Sequence, residues 1–171
     1  KIARYQADGG AKVGIVEAGV LYAASGDMFG TLTKGNRVGA LDDVTLLTPV
    51  EPGKIVAVGL NYALHVTEHD PGREVPTEPV IFMKPQSSLL AHGGVIEMPP
   101  ADRIDYEAEL CIVMGKEAFR VSQADALSYV LGYTCGNDVS HRDYQRKDGQ
   151  WVRAKGLNTF CPLRPVIATE L

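Results

Sequence analysis

No apolar run in this chain is long enough to cross a membrane; the longest are the length of a strand. The opening residues KIARYQADGG hold no apolar core of the kind a secretory signal needs. They also lack a Met, so at least one upstream residue is expected to be missing. Cysteine is scarce: three residues, at 111, 135 and 161, odd in number, far apart and never in a CxxC pair. That pattern argues against a disulfide framework and a structural zinc site. It fits reduced thiols in the cytosol, read as three small buried hydrophobes. A strong charge of either sign is also lacking. The net charge of −4 is too mild for an acidic solvating chain and of the wrong sign for a nucleic-acid surface. There is no internal repeat and no low-complexity tract.

What is present is globular. With 171 residues, 45% apolar and 22% charged, the chain can build one ordinary domain with a real core, or one domain and a small appendage. Residues 1 to about 50 read as a small β-rich unit. AKVGIVEAGVLYAA forms two strands around a turn at Glu17–Gly19, and the Gly-rich stretch after it is weakly patterned. Pro and Gly between Thr48 and Gly53 mark a boundary, with a second unit over 51–171. There, KIVAVGL reads as a strand and Asn61–His69 as a short helix capped by Asn61. VIFMK is a strand stopped by Pro85, and VIEMPP a short strand. Ser122–Leu131 reads as a helix with Ser122 and Asp125 as a loose capping box. GYTCGNDVS is a strand running into a turn, and HRDYQRKDGQWVRAKGLN is polar and basic, with the look of a solvated loop. Strands dominate with few helices between them, which excludes a regular βαβ alternation and predicts a mainly β (α+β) fold.

One stretch carries a tension. RIDYEAELCIVMGK, residues 103–116, has the weight of a buried strand, yet Asp105, Glu107 and Glu109 alternate into it. On a strand they leave one face at a spacing of roughly 6.5–7 Å. Two charges that close cost about 2 kcal/mol at an effective dielectric near 20. Three arrangements relieve this. The acid face is solvent, with Ile104, Tyr106, Ala108, Leu110, Ile112 and Met114 in the core; or the acids meet basic residues; or they share a divalent cation. Asp138, emerging at the end of an apolar strand, would complete an all-oxygen set with Glu107 and Glu109. Such a set favours Mg²⁺, with Mn²⁺ or Ca²⁺ as substitutes, over zinc or copper. Asp105 is expected at the rim or on a basic neighbour.

VGLNYALHVTE, IFMKPQSSL, DYEAELCIVMGK, GYTCGNDVSHRDYQ and RAKGLNTFCPLRPVI, in that order, resemble the fumarylacetoacetate hydrolase family from about Lys54 to Thr169. The resemblance implies a mixed β-sandwich roll, preceded by a small N-terminal domain, and a homodimer with one Mg²⁺ or similar cation per subunit. It implies metal carboxylates at Glu107, Glu109 and Asp138, a catalytic pair at His65 and Glu68, and a catalytic lysine at Lys155. Substrate-side polar residues are implied at Arg142 and Gln145. The chemistry suits the residues: His65 and Glu68 stand three apart on a helix, where a carboxylate can orient an imidazole as a base. Arg142 can grip a carboxylate in two-point fashion. His69 and His92 carry no such signal, and His69 is expected to be solvated.

The family pattern is broken at His141, Asn158 and Arg164, where a small residue, an acid and a glycine are common. It also breaks off near Leu171, where family members continue into further strands. A sheet edge and apolar surface are therefore expected to lie open. The activity implied is hydrolytic cleavage of a carbon–carbon bond in a β-diketo or 2-oxo acid, such as an acylpyruvate, through a metal-stabilised enolate. The alternative is a decarboxylase, an isomerase (tautomerase) or a hydratase on the same scaffold. An inactive fragment or interaction subunit is the non-enzyme alternative. The partner expected is a small carboxylate-bearing 2-oxo acid, with no nucleic acid and no membrane.

Overall fold

The computed structural model describes residues 1–68, 71, 72 and 74–170. The fold is mostly β, with a few short helices. β1 (Ile2–Ala7), β2 (Gly10–Glu17), β3 (Val20–Gly26) and β4 (Leu32–Ala40) form an antiparallel meander. The first half of the weakly patterned Gly-rich stretch is thus the strand β4. β5 (Ile55–Gly59) pairs with β6 (Val80–Lys84), and α1 (Ala63–Glu68) leaves the chain between them. α1 begins two residues after Asn61, and His69 lies outside the described residues. β7 (Leu89–Leu90), β8 (Ile104–Asp105), β9 (Ala108–Met114) and β10 (Val130–Asn137) follow. Then come β11 (Ser140–His141), α2 (Arg142–Asp148), α3 (Val152–Lys155), β12 (Cys161–Pro162) and β13 (Val166–Ile167).

β13 returns to pair with β1, Ile2 opposite Ile167, so the meander becomes a five-stranded sheet in the order β13-β1-β2-β3-β4. Ile2, Val50, Val113 and Ile167 pack in one buried cluster; Ala3, Tyr5, Val16 and Leu21 form another. The stretch around Thr48–Gly53 is therefore bridged by a strand pair and a shared apolar core. No helix among the described residues is long and apolar enough to cross a membrane.

Four readings from sequence are corrected. The helix over Ser122–Leu131 shrinks to a 3-10 turn at Ala126–Tyr129. Ser122 Oγ accepts from the Asp125 N–H at 3.2 Å, closing a local turn ahead of it, whereas the 3-10 turn itself has Asp125 at its N-cap and no side-chain cap. Strand pairing takes the rest: the Gly115 N–H donates to the Tyr129 carbonyl, and Val130 pairs with Met114. VIEMPP forms no strand; the Glu97 N–H instead donates to the Thr159 hydroxyl. The basic stretch read as a loop holds the helices α2 and α3, closed by ion pairs from Arg146 to Asp143 and from Arg153 to Asp148.

The fourth correction concerns residues 103–116. The strand is broken at Tyr106 and Glu107 into β8 and β9, and its faces are the reverse of an ordinary surface strand. Tyr106, Leu110, Ile112 and Met114 are exposed, whereas Glu107, Glu109 and Cys111 are half-buried and Val113 is buried. Val56 and Val58 on β5 and Ile81 and Met83 on β6 are exposed too.

The thiols split in the same way. Cys111 and Cys161 lie on inward positions, and Cys135, opposite the outward Leu110, is exposed rather than buried. Burial pushes the Cys111 thiol up to about 11 and raises that of Cys161 as well. Only the thiolate is nucleophilic, so iodoacetamide at pH 8 is expected to alkylate Cys135 first. Peptide mass mapping of a time course checks this; equal labelling of Cys111 would contradict it.

Candidate metal centre and active site

The break between β8 and β9 exists because Glu107 is held by side-chain and loop partners rather than by a neighbouring strand. Its N–H donates to Asn137 Oδ1 at 3.0 Å, and its carbonyl accepts from the Asp138 N–H at 2.9 Å. This ties the backbone of Glu107 to that of Asp138. Glu109, two residues on, sits opposite Gly136 on β10. A Cβ at Gly136 would come within 2.5 Å of Cys111 Sγ, so the absent side chain lets the two strands close at the site. One carboxylate oxygen each from Glu107, Glu109 and Asp138 lie within 4.8 Å of one another.

Cations ring these acids. Lys155, on α3 and 2% exposed, donates to Glu107 Oε2 at 2.9 Å, Asp138 Oδ2 at 2.5 Å and Ser140 Oγ at 2.7 Å. Lys84, at the end of β6 and 3% exposed, donates to Asp138 Oδ1 at 2.5 Å. Arg142 opens α2 and reaches Glu107 Oε1 with Nη2, Asp105 Oδ2 with Nε at 2.7 Å, and Gln145 Oε1 with Nη1 at 2.7 Å. α3 is seated by Trp151, whose ring meets Phe82 edge-on at 5.5 Å and comes so close to Gly59 that a Cβ there would clash at 2.3 Å. The Lys155 ammonium also lies 5.0 Å from the Phe82 ring centroid.

The acids titrate apart. Burial pushes Glu107 up, but hydrogen bonds and charge from Lys155 and Arg142 outweigh it, and its carboxyl ends below the usual range. Glu109 is raised, first by burial and then by the charges of Asp138 and Glu107, against weaker pulls from Lys155 and His65. No hydrogen bond supports the Glu109 carboxylate among the described residues. It is thus an oxygen donor directed into an acidic cluster and lacking a partner, in a hard all-oxygen set. That is the donor chemistry Mg²⁺ or Mn²⁺ takes, so these residues fit such a cation.

Asp105 stands apart from the cluster, on the basic neighbours expected of it. Arg103 Nε reaches its Oδ1 at 2.8 Å, and Arg142 takes the other oxygen. Those two partners, Arg103 first, hold its carboxyl down to about 2. On α1, His65 Nδ1 lies 3.2 Å from Glu68 Oε2, both side chains more than half exposed. His141 turns inward. It caps α2 by accepting from the Tyr144 N–H, stacks on the Tyr144 ring at 3.9 Å, and leaves Nε2 buried without a partner. Arg164 is not among the residues with positive φ, so the turn accepts it without strain.

Two contributors were not assigned from the residues. Lys84 sits in the motif IFMKP, where the only signal was a cation closing an apolar strand, and Ser140 had no signal at all. Breaking a buried ion pair leaves an uncompensated charge. Lys84→Met is therefore expected to destabilise the metal-free protein by about 3 kcal/mol, with Mg²⁺ restoring part of the loss. Thermal unfolding with and without Mg²⁺ checks this; an equal loss in both would reduce Lys84 to a packing role.

Comparison with known proteins shows the family of the chain. Residues 54–171 match the family described as fumarylacetoacetate (FAA) hydrolase C-terminal, and residues 1–49 match Rv2993c-like, N-terminal. Protein Rv2993c of Mycobacterium tuberculosis is 47% identical over 84% of this chain and 54% of its own length. The human mitochondrial oxaloacetate tautomerase FAHD2A is 42% identical over 75% of this chain and 41% of its own. Among solved structures, 5-carboxymethyl-2-hydroxymuconate delta-isomerase from Mycobacterium smegmatis is 42% identical with a TM-score of 0.87, covering 99% of this chain and 67% of that one. The chain spans about half the length of the curated relatives it matches. With five ordered motifs, a mostly β fold and an acidic cluster ringed by cations, the chain belongs to the fumarylacetoacetate hydrolase family.

Proposed function

We propose that this chain carries the catalytic centre of a divalent-cation-dependent isomerase that interconverts the keto and enol forms of a small 2-oxo acid, oxaloacetate being the first to test. The observation that carries the reading is the cluster of Glu107, Glu109 and Asp138 within 4.8 Å, ringed by Lys84, Lys155 and Arg142. Counting Asp105 and its partner Arg103, four carboxylates face four cations, so a divalent cation would leave the site net positive and ready for an anion. That cation, Mg²⁺ in the first instance, would supply Lewis-acid polarisation of the 2-oxo group.

The chain's own groups do the rest. Arg142, backed by Gln145, grips the substrate carboxylate. Lys155 places its charge where negative charge grows on oxygen. His65, oriented through Nδ1 by Glu68, takes the proton from the carbon beside the 2-oxo group with Nε2; the enolate oxygen takes a proton from water to give the enol, and the reverse steps restore the keto form. Its exposure lets that proton exchange with water. Hydrolytic carbon–carbon cleavage, the activity expected from the family name, would use the same base on a water. The isomerase reading is preferred because relatives at 42% identity are named for tautomerisation or isomerisation. Free thiols at all three cysteines support a reducing compartment such as the cytosol. The protein is proposed to act as a homodimer.

The test follows enol–keto interconversion of oxaloacetate by ultraviolet absorbance, in parallel with loss of an acylpyruvate, with Mg²⁺ and then EDTA. Faster interconversion of oxaloacetate that EDTA stops supports the isomerase. EDTA-sensitive loss of acylpyruvate alone returns the assignment to hydrolase, and no effect on either removes both.

A further inference from the structure

Asp105 shares a strand face with Glu107 and Glu109 by sequence count, yet it stands outside the cluster whose oxygens converge. Both of its oxygens are engaged by guanidinium nitrogens, Arg103 on Oδ1 and Arg142 on Oδ2. Its own backbone is pinned, because β8 pairs with β11 and sets Asp105 opposite Ser140. Arg142 is pinned in turn: its N–H donates to the Arg103 carbonyl at 3.0 Å, and His141 caps the helix it opens.

The contacts of Glu107 create a conflict. Its two oxygens are held by Arg142 and Lys155, so ligating a cation requires it to yield contacts. Lys155 has Asp138 and Ser140 to keep it in place. Arg142 has Asp105. Without Asp105 the guanidinium would keep, once Glu107 turned away, only the uncharged Gln145 oxygen on Nη1, and would be free to pivot about it. Held by Nε, it can release Nη2 and stay put, with its outer edge open to a carboxylate.

We infer that Asp105 is a positioning residue: it anchors Arg142 through Nε so that, when Glu107 turns to a cation, the freed guanidinium edge is already placed for the substrate carboxylate. The second half of this rests on the isomerase reading; the anchoring does not. Arg103 meets the other Asp105 oxygen with an exposed side chain, a contact the anchor does not depend on.

The test uses the full chain as Asp105→Asn, with Arg103→Gln as the control. Arginine Nε–H resonances of the ¹⁵N-labelled protein are followed as Mg²⁺ is added, together with Mg²⁺ affinity by calorimetry and the KM and kcat for oxaloacetate. The hydrogen-bonded Arg142 Nε–H signal is expected to persist through Mg²⁺ loading in the wild type and to be lost in Asp105→Asn. Mg²⁺ affinity should change by less than about threefold, whereas KM should rise by about tenfold or more, the scale of a lost charge-assisted hydrogen bond. Arg103→Gln should move neither strongly. Loss of the Nε–H signal when Mg²⁺ binds the wild type would overturn the anchor. So would a tenfold fall in Mg²⁺ affinity in Asp105→Asn, which would make Asp105 a ligand. If the resonances behave as expected but oxaloacetate is not turned over, the anchor stands and the isomerase reading falls.

Discussion

Glu109→Gln is expected to abolish measurable Mg²⁺ binding while leaving the protein folded. Glu107 and Asp138 are already satisfied by lysine and arginine, but Glu109 has burial and two like charges against it and, among the described residues, no hydrogen bond for it. Its carboxylate gains most when a cation enters. The amide keeps the shape and removes the charge. The loss should exceed the roughly 10–100-fold that removing an outer-shell partner of a metal ligand costs. Glu109→Gln should also raise the melting temperature of the metal-free protein slightly, since a strained charge is gone. Calorimetric titration with Mg²⁺ and a melting curve in EDTA read both effects. Tight Mg²⁺ binding in Glu109→Gln would mean that the cluster is not the metal centre.

The second large effect is expected at His65. His65→Ala should lower turnover of oxaloacetate by about 10²–10⁴-fold, the range for removal of a general base. Mg²⁺ affinity should barely change, because His65 is half exposed on α1 and touches the acids only through space. Glu68→Gln should fall between the two, since it orients the imidazole and does not itself touch substrate. The measurement is steady-state turnover beside a Mg²⁺ titration on the same preparations. Undiminished turnover in His65→Ala would remove the base from the proposed mechanism, whatever the metal does.

The acidic centre was legible because alternation along a strand places Glu107 and Glu109 on one side, whatever the strand's surroundings, and because Asp138 follows an apolar run. Which side that was could not be read. Tyr106, Leu110, Ile112 and Met114 carry the hydrophobic pattern of a core face and lie outward, because the opposite face is claimed by charge: Lys84, Arg142 and Lys155 come from three distant elements to meet it. Hydrophobic periodicity has no term for a buried face neutralised at long range. The same limit hid α2 and α3, whose polar residues are held by Arg146–Asp143 and Arg153–Asp148 pairs rather than by an apolar stripe. It also produced the helix expected over Ser122–Leu131, where the Ser122–Asp125 contact closes only a local turn and the pull of Met114 on Val130 was not visible.

The pairing of β1 with β13 has a consequence for how the molecule is made. The four-stranded meander closes through neighbours in sequence and can form early on the ribosome. Its outer edge at Ile2 and Ala3 must then wait for Val166 and Ile167, nearly the whole chain later. At ordinary rates of synthesis, that interval is on the order of ten seconds or more. Throughout it the nascent chain carries an unpaired strand edge, so exposure to misassembly is set by the time β1 spends waiting for β13.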